Sequence, residues 1–214
     1  MLSWKKRGFT LIELLIVVAI IAILALIAVP NFLEAQTRAK VSRTKNDLRT
    51  LAVATEAYRV DGTAWPFNPF EPAAQRWVLV NSHGWPVEYG IWFILTTPIS
   101  YITSIPKDSF ERPYNEQWNI WQNYYRIWNL ENHPTGGWGS PSTVYFARHG
   151  GSILMCGVGP DKVEDISDGT AGGGGIGRQG ITPYDPTNGT VSWGDIYYGL
   201  PGLGTEGVWA KCQP

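Results

Sequence analysis

Histidine is scarce in this chain of 214 residues: the three present, His83, His133 and His149, lie too far apart to read as a metal cluster. No serine or cysteine nucleophile motif accompanies them, and no phosphate-cradling loop survives inspection. Gly175, Gly177 and Gly180 formally satisfy a dinucleotide spacing, yet no strand pattern precedes them and no helix pattern follows. Enzyme chemistry has no constellation of residues to rest on. An excess of charge is missing too, since 17 basic residues stand against 18 acidic ones. That balance does not favour nucleic acid as a partner. In the second part of the chain long helices are excluded by composition, because the 24 glycines and 15 prolines favour loops.

What is present is one long apolar run. Of the 21 residues in 9–29, 19 are apolar and the only charge is Glu13. As a helix rising about 1.5 Å per residue the run measures about 32 Å, enough to cross a hydrocarbon core about 30 Å thick. Lys5, Lys6 and Arg7 stand before it, so the positive-inside rule keeps that end in the cytoplasm and sends the rest outward. The residues after the run make a poor site for signal peptidase, which favours a retained span. Glu13 is the anomaly. An ionised carboxylate within a span costs about 2.5–3.5 kcal/mol on insertion scales, and this implies a partner.

The order Lys6, Arg7, Gly8, Phe9, Thr10, Leu11, Ile12, Glu13, Leu14 closely resembles the processing signal of type IV pilins and type II secretion pseudopilins. The resemblance implies that a prepilin peptidase cuts between Gly8 and Phe9 and that the new N-terminal Phe9 is N-methylated. It also implies that Glu13, then fifth in the mature chain, faces the N-terminal amine of a neighbouring subunit. Removing Lys5, Lys6 and Arg7 leaves 14 basic against 18 acidic residues, a net charge of −4. The competing reading is an ordinary signal anchor in which Glu13 is tolerated near one end of the helix.

Pro30 lacks the N–H that bonds back one turn, so it is expected to kink or open the helix without ending it. Pilins commonly carry a proline here, which adds Pro30 to the assembly residues that the resemblance implies. Over 31–60 the pattern turns amphipathic: Val41, Leu48, Leu51, Ala52, Thr55 and Tyr58 form a narrow stripe that predicts packing on a domain. Glu34 with Arg38 supports the solvated face, and Gly62 supplies a stop. The basic residues Arg38, Lys40, Arg43, Lys45 and Arg49 read as a solvated face or as contacts between subunits.

Beyond the helix, residues 63–98 are rich in Pro and Trp, with a short strand expected at 77–80 and an apolar run at 91–95. The segment 95–114 resembles a pseudopilin stretch reading leucine-proline-x-aspartate-proline-aromatic-glycine-x-proline-tyrosine, through Ile105, Pro106, Lys107, Asp108, Phe110, Pro113 and Tyr114. It departs at Ser109 and Glu111. Residues 152–158 read as a buried strand, with Gly159, Pro160 and Asp161 turning out of it. Residues 169–180 form a Gly-rich loop by composition, and Asn188-Gly189 marks a tight turn. Eleven Trp residues serve either to fill the core, to form a subunit interface or to make a ligand platform.

Residues 184–196 resemble the end of the major pseudopilin, where a loop between the last strands holds calcium. The resemblance implies calcium ligands at Asp185 and Asp195, with Asp161 a further candidate. Asp, Asn and Gly are equally the residues of metal-free turns, so both readings stand. Cys156 and Cys212 lie in the exported part, where thiols pair, and a bridge between them closes a loop of 57 residues.

The reading is therefore an α+β protein. Residues 1–8 are a leader and 9–61 one helix, with 9–29 in the membrane or filament core and 30–61 amphipathic. Residues 62–214 form a β-rich domain with an antiparallel sheet and long loops. Its expected function is that of a non-enzymatic subunit of a type IV pilus-like filament, chiefly a secretion pseudopilin. The alternative is a surface pilin displaying an aromatic-rich, glycan-binding domain. Its partners are copies of itself, the prepilin peptidase, the inner-membrane assembly platform and, before assembly, the membrane. Its location is the inner membrane first, then a periplasmic pseudopilus or a cell-surface filament.

Overall fold

A computed structural model describes residues 8–62, 64–66, 92, 94–110, 124–129, 151–162, 183–187, 192 and 194–200. The first element is a single helix, α1, spanning Leu11–Gly62 and containing Pro30. It starts two residues later and ends one residue later than the sequence pattern predicts. At about 1.5 Å per residue its 52 residues measure about 78 Å. Pro30 costs the ladder only the bond that would reach the Leu26 carbonyl, and helix resumes on both sides.

The two halves of α1 have different surroundings. From Phe9 to Leu33 every large apolar side chain stands in the open, from 46% exposed at Val17 to 80% at Leu11. The second half buries Val41, Thr44, Leu48, Leu51, Ala52, Ala54 and Thr55. Five of the six residues in the predicted stripe are among them, and Tyr58, the sixth, packs partly buried against the same core. Thr44 and Ala54 widen the stripe. Thr55 is tolerated inside because its hydroxyl donates to the Leu51 carbonyl at 2.7 Å.

That face lies on an antiparallel sheet of three strands in the order β1 (Arg126–Asn129), β2 (Ile153–Gly157), β3 (Ile196–Leu200). Arg126 stands opposite Cys156, and Gly157 opposite Ile196. β2 is central and buried at all five positions, which explains why its sequence is a continuous apolar run without alternation. It is the strand predicted at 152–158. β1 and β3 have no counterpart in the sequence reading. The strand expected at 77–80, the Gly-rich loop and the Asn188-Gly189 turn lie outside the described residues.

Gly157 sets the distance between helix and sheet. A methyl group there would stand 2.8 Å from Thr44 Cγ2 and 2.9 Å from Tyr125 Cε1, so only glycine admits α1 this closely. This end of the sheet therefore lies near the 41–47 turns of α1, on the side facing the apolar half. At the opposite end Asn129 donates its side-chain amide to the Pro66 carbonyl at 2.7 Å, just past the end of the helix. Trp65 and Trp92 are 3% and 1% exposed, so these two fill the core, and Trp92 Nε1 donates to the Tyr125 carbonyl at 2.9 Å.

Candidate functional site

Two regions carry the residues singled out by the sequence. The first is the start of α1. Thr10 occupies the N-cap position, and Glu13 stands three residues on. Glu13 Oε2 accepts the Thr10 N–H at 2.8 Å and the Thr10 hydroxyl at 2.7 Å. In return the Glu13 N–H donates to Thr10 Oγ1 at 3.3 Å. This is a capping box, in which two helix-end donors are satisfied reciprocally. The partner that the buried-charge argument demands for Glu13 is thus first supplied within its own chain. Just upstream, Phe9 is 72% exposed, and among the described residues nothing lies within 4 Å of a Cβ built on Gly8.

The second region is the end of the sheet nearer the apolar half of α1, where the segments holding the three calcium candidates meet. Gly159 begins a turn in which the Lys162 N–H donates to the Gly159 carbonyl at 3.0 Å, with Lys162 in the left-handed region at φ 61°. A Cβ on Gly159 would fall 2.1 Å from the Gly194 carbonyl oxygen, so the two backbones touch. Residues 183–187 adjoin them, since Pro183 bridges to Asp195 and the Tyr184 N–H donates to the Asp195 carbonyl at 2.9 Å.

The carboxylates do not follow their backbones. Asp195 is fully buried, with Oδ2 accepting the Tyr197 hydroxyl at 3.1 Å and lying 3.7 Å from Cys156 Sγ. Asp185 faces outward and closes a turn, its Oδ1 accepting the Thr187 N–H at 2.8 Å and the Thr187 hydroxyl at 2.7 Å. Those two bonds, the hydroxyl first, hold the Asp185 carboxyl below the ordinary range. Asp161 is half-buried on the Gly159 turn. Among the described residues no three His, Cys, Asp or Glu side chains are grouped as metal ligands. Cys156 is buried in β2, and Cys212 lies outside the described residues.

Two polar arrangements here were missed by the sequence reading. Asp108 is 7% exposed and accepts two backbone donors, Phe110 N–H at 3.0 Å on Oδ1 and Val158 N–H at 2.9 Å on Oδ2. It ties the 107–110 segment to the end of β2. Its place in the Pro-x-Asp segment was the only signal available. The Tyr125 hydroxyl donates to Asp47 Oδ2 at 2.8 Å, and Arg43 Nε stands 3.7 Å from the same oxygen. Burial pushes the Tyr125 hydroxyl well above its ordinary pKa, with the Asp47 bond acting in the same direction. Nothing in the sequence pairs these residues, which are 78 apart.

Known proteins bear on the first region. Residues 5–29 match the family model described as the prokaryotic N-terminal methylation motif. The chain is 56% identical over 54 residues to the type IV major pilin protein PilA of Myxococcus xanthus, covering 25% of this chain and 24% of that one. It is 40% identical over 62 residues to the type II secretion system core protein G of Pseudomonas aeruginosa, covering 29% of this chain and 44% of that one. To the type IV wide pilus major component PilA4 of Thermus thermophilus it is 45% identical over 64 residues, 30% of this chain and 49% of the relative. No solved structure matches. The chain thus spans less than half the length of each of these relatives. The similarity lies in the N-terminal part of the chain, where the methylation motif opens the long apolar helix, and it extends to type IV pilins and to a type II secretion core protein alike.

Proposed function

We propose that the chain is a structural subunit of a type IV pilus-like filament and, within that class, a type II secretion pseudopilin. The observation that carries the reading is the exposure of the first half of α1, whose apolar side chains find no cover in their own subunit. Such a surface is stable in lipid or against copies of itself and nowhere in water. Before assembly it spans the inner membrane with the domain outside, and after assembly the same surface packs in the filament core. A prepilin peptidase frees Phe9, and an inner-membrane platform moves the subunit from lipid into the filament. The secretion subtype rests on the Asp108 segment and the C-terminal loops, which resemble pseudopilins.

Intact-mass measurement of the assembled protein tests the processing. The expected mass lacks residues 1–8, carries one added methyl, and is lighter by two hydrogens for a Cys156–Cys212 bridge. A retained leader contradicts the processing, and two titratable thiols contradict the bridge. The subtype is tested by location: confinement to the cell envelope supports a pseudopilus, and long extracellular filaments overturn it.

The C-terminal loops support a second, smaller proposal, a calcium ion held by the exposed Asp185 and loop carbonyls, with Asp161 on the neighbouring turn as the further candidate. Asp195, turned inward, frames the loop rather than ligating. Binding to the folded state alone stabilises it by about 2.7 kcal/mol at a hundredfold excess over Kd. Millimolar calcium is therefore expected to raise the melting temperature, and Asp185→Ala to remove that response. A melting temperature indifferent to calcium and chelator rejects the site.

A further inference from the structure

We propose that, while the subunit is anchored in lipid, the end of the domain nearest the span docks on the anionic headgroup layer through Lys40, Lys107 and Lys162. The proposal rests on the reading of the apolar half as a membrane span. Exposed large apolar side chains run on past the 9–29 span to Phe32 and Leu33, so the apolar surface reaches that point. Lys40 follows seven residues later, about 10 Å along the helix axis. A headgroup layer about 5–7 Å thick and the length of a lysine side chain close that gap.

The three lysines belong to adjoining segments. Lys40 Nζ lies 5.8 Å from the centre of the Phe110 ring, which places it against the 107–110 segment. Lys107 is in that segment, bridged to Tyr124 beside β1. Asp108 ties the same segment to Val158, and Lys162 closes the turn that follows. All three are exposed, and none forms an ion pair with a carboxylate among the described residues. Among the described residues the nearby acids are few. Glu34 is paired with Arg38, Asp47 with Arg43, Asp108 accepts two backbone donors, and Asp161 stands half-buried beside Lys162.

Asp185 sits on a different flank. Tyr184, its neighbour, feels the charges of Arg38 and Glu34, whereas the Phe110 segment meets Lys40. Residues 38 and 40 are about 200° apart around a helix. Among the described residues this flank therefore sets three lysines against the half-buried Asp161, with the ionised Asp185 on the Tyr184 side. The continuous helix that joins span and domain sets the height of the lysines. Lipid phosphates are the anions within reach there.

The test uses the full chain reconstituted in vesicles of phosphatidylcholine alone or with about one third phosphatidylglycerol, and reads the acetylation rate of each lysine by mass spectrometry. Each lysine near an anionic surface gains attraction worth about fivefold in binding. Lys40, Lys107 and Lys162 are expected to react about fivefold more slowly in the anionic vesicles, with Lys45, higher on α1, little changed. High salt should erase the difference by shortening the screening length to about 3 Å. Lys40→Gln with Lys107→Gln should return Lys162 to its rate in neutral vesicles. Equal rates in both vesicles, or equal slowing of Lys45, overturn the docking. Alkaline extraction of the same samples separates the two claims: a chain released from the vesicles contradicts the span, whereas a retained chain with equal rates contradicts only the docking.

Discussion

Glu13→Gln, in the full chain, is expected to insert in the membrane with its helix intact and to form filaments at least a hundredfold less readily than the parent. Glutamine keeps the capping geometry, since its side-chain oxygen still accepts the Thr10 N–H as Glu13 Oε2 does at 2.8 Å. It lacks the charge. In the assembled core the amine freed at Phe9 would then be buried without a counter-ion, and breaking such a pair costs about 3–5 kcal/mol. At about 1.4 kcal/mol per factor of ten, the lower figure already exceeds a hundredfold. Glu13→Val removes the side-chain half of the capping box together with the charge and should assemble no better. Filament yield by electron microscopy, normalised to membrane-inserted subunit, reads all three proteins. If Gln assembles normally and Val does not, Glu13 acts through the cap and the charge pairing is wrong.

The second large effect concerns the domain. Gly159→Ala places a carbon 2.1 Å from the Gly194 carbonyl oxygen, a backbone atom with no rotamer to change. The turn at 159–162 must separate from the 194–195 segment, and with it go the contacts that seat Tyr184 and Asp195. Overpacking of this kind costs about 3 kcal/mol, or roughly 6–12 °C in melting temperature for a chain of this size. Gly157→Ala is a useful contrast. Its nearest neighbours are the side chains of Thr44, at 2.8 Å, and Tyr125, at 2.9 Å. Thr44→Ser removes the offending Cγ2, so the double substitution should recover part of the loss. No comparable trimming rescues Gly159→Ala. Circular dichroism melts of the detergent-solubilised chain measure each variant, and a melting temperature for Gly159→Ala within 1–2 °C of the parent would contradict the contact.

The helix was legible because its information is local. An unbroken apolar run, a proline that removes one bond, and a stripe at helical spacing from Val41 to Tyr58 all lie within about sixty neighbouring residues. β2 was legible for a related reason: buried on both sides, it shows as a short apolar run between turns. β1 and β3 show no such pattern. Arg126–Asn129 sits in an aromatic tract without alternation, and Ile196–Leu200 contains a glycine and follows a turn-rich stretch. Both become strands through pairing with β2, whose partner residues lie 24–30 positions from those of β1 and 39–47 from those of β3. The carboxylates illustrate the same limit. Asp195 looks like a loop ligand because it is flanked by turn residues, yet Tyr197 and Cys156 hold it inside. Asp108 looks like a turn residue, and its burial depends on the Val158 N–H fifty positions downstream.

Pro30 gives α1 a mechanical character. A pull on the domain is borne along the axis of the helix, and the turn at Pro30 has already lost the bond to the Leu26 carbonyl, so it yields before its neighbours. A residue passing from helical to extended backbone lengthens by about 1.8 Å. Half a dozen residues around Pro30 therefore provide about 11 Å of travel. None of them belongs to the face between Val41 and Thr55 that holds the sheet. Helix α1 is thus a compliant spring in series with a stiff clamp, and under tension the stretch is taken up away from the face that holds the sheet.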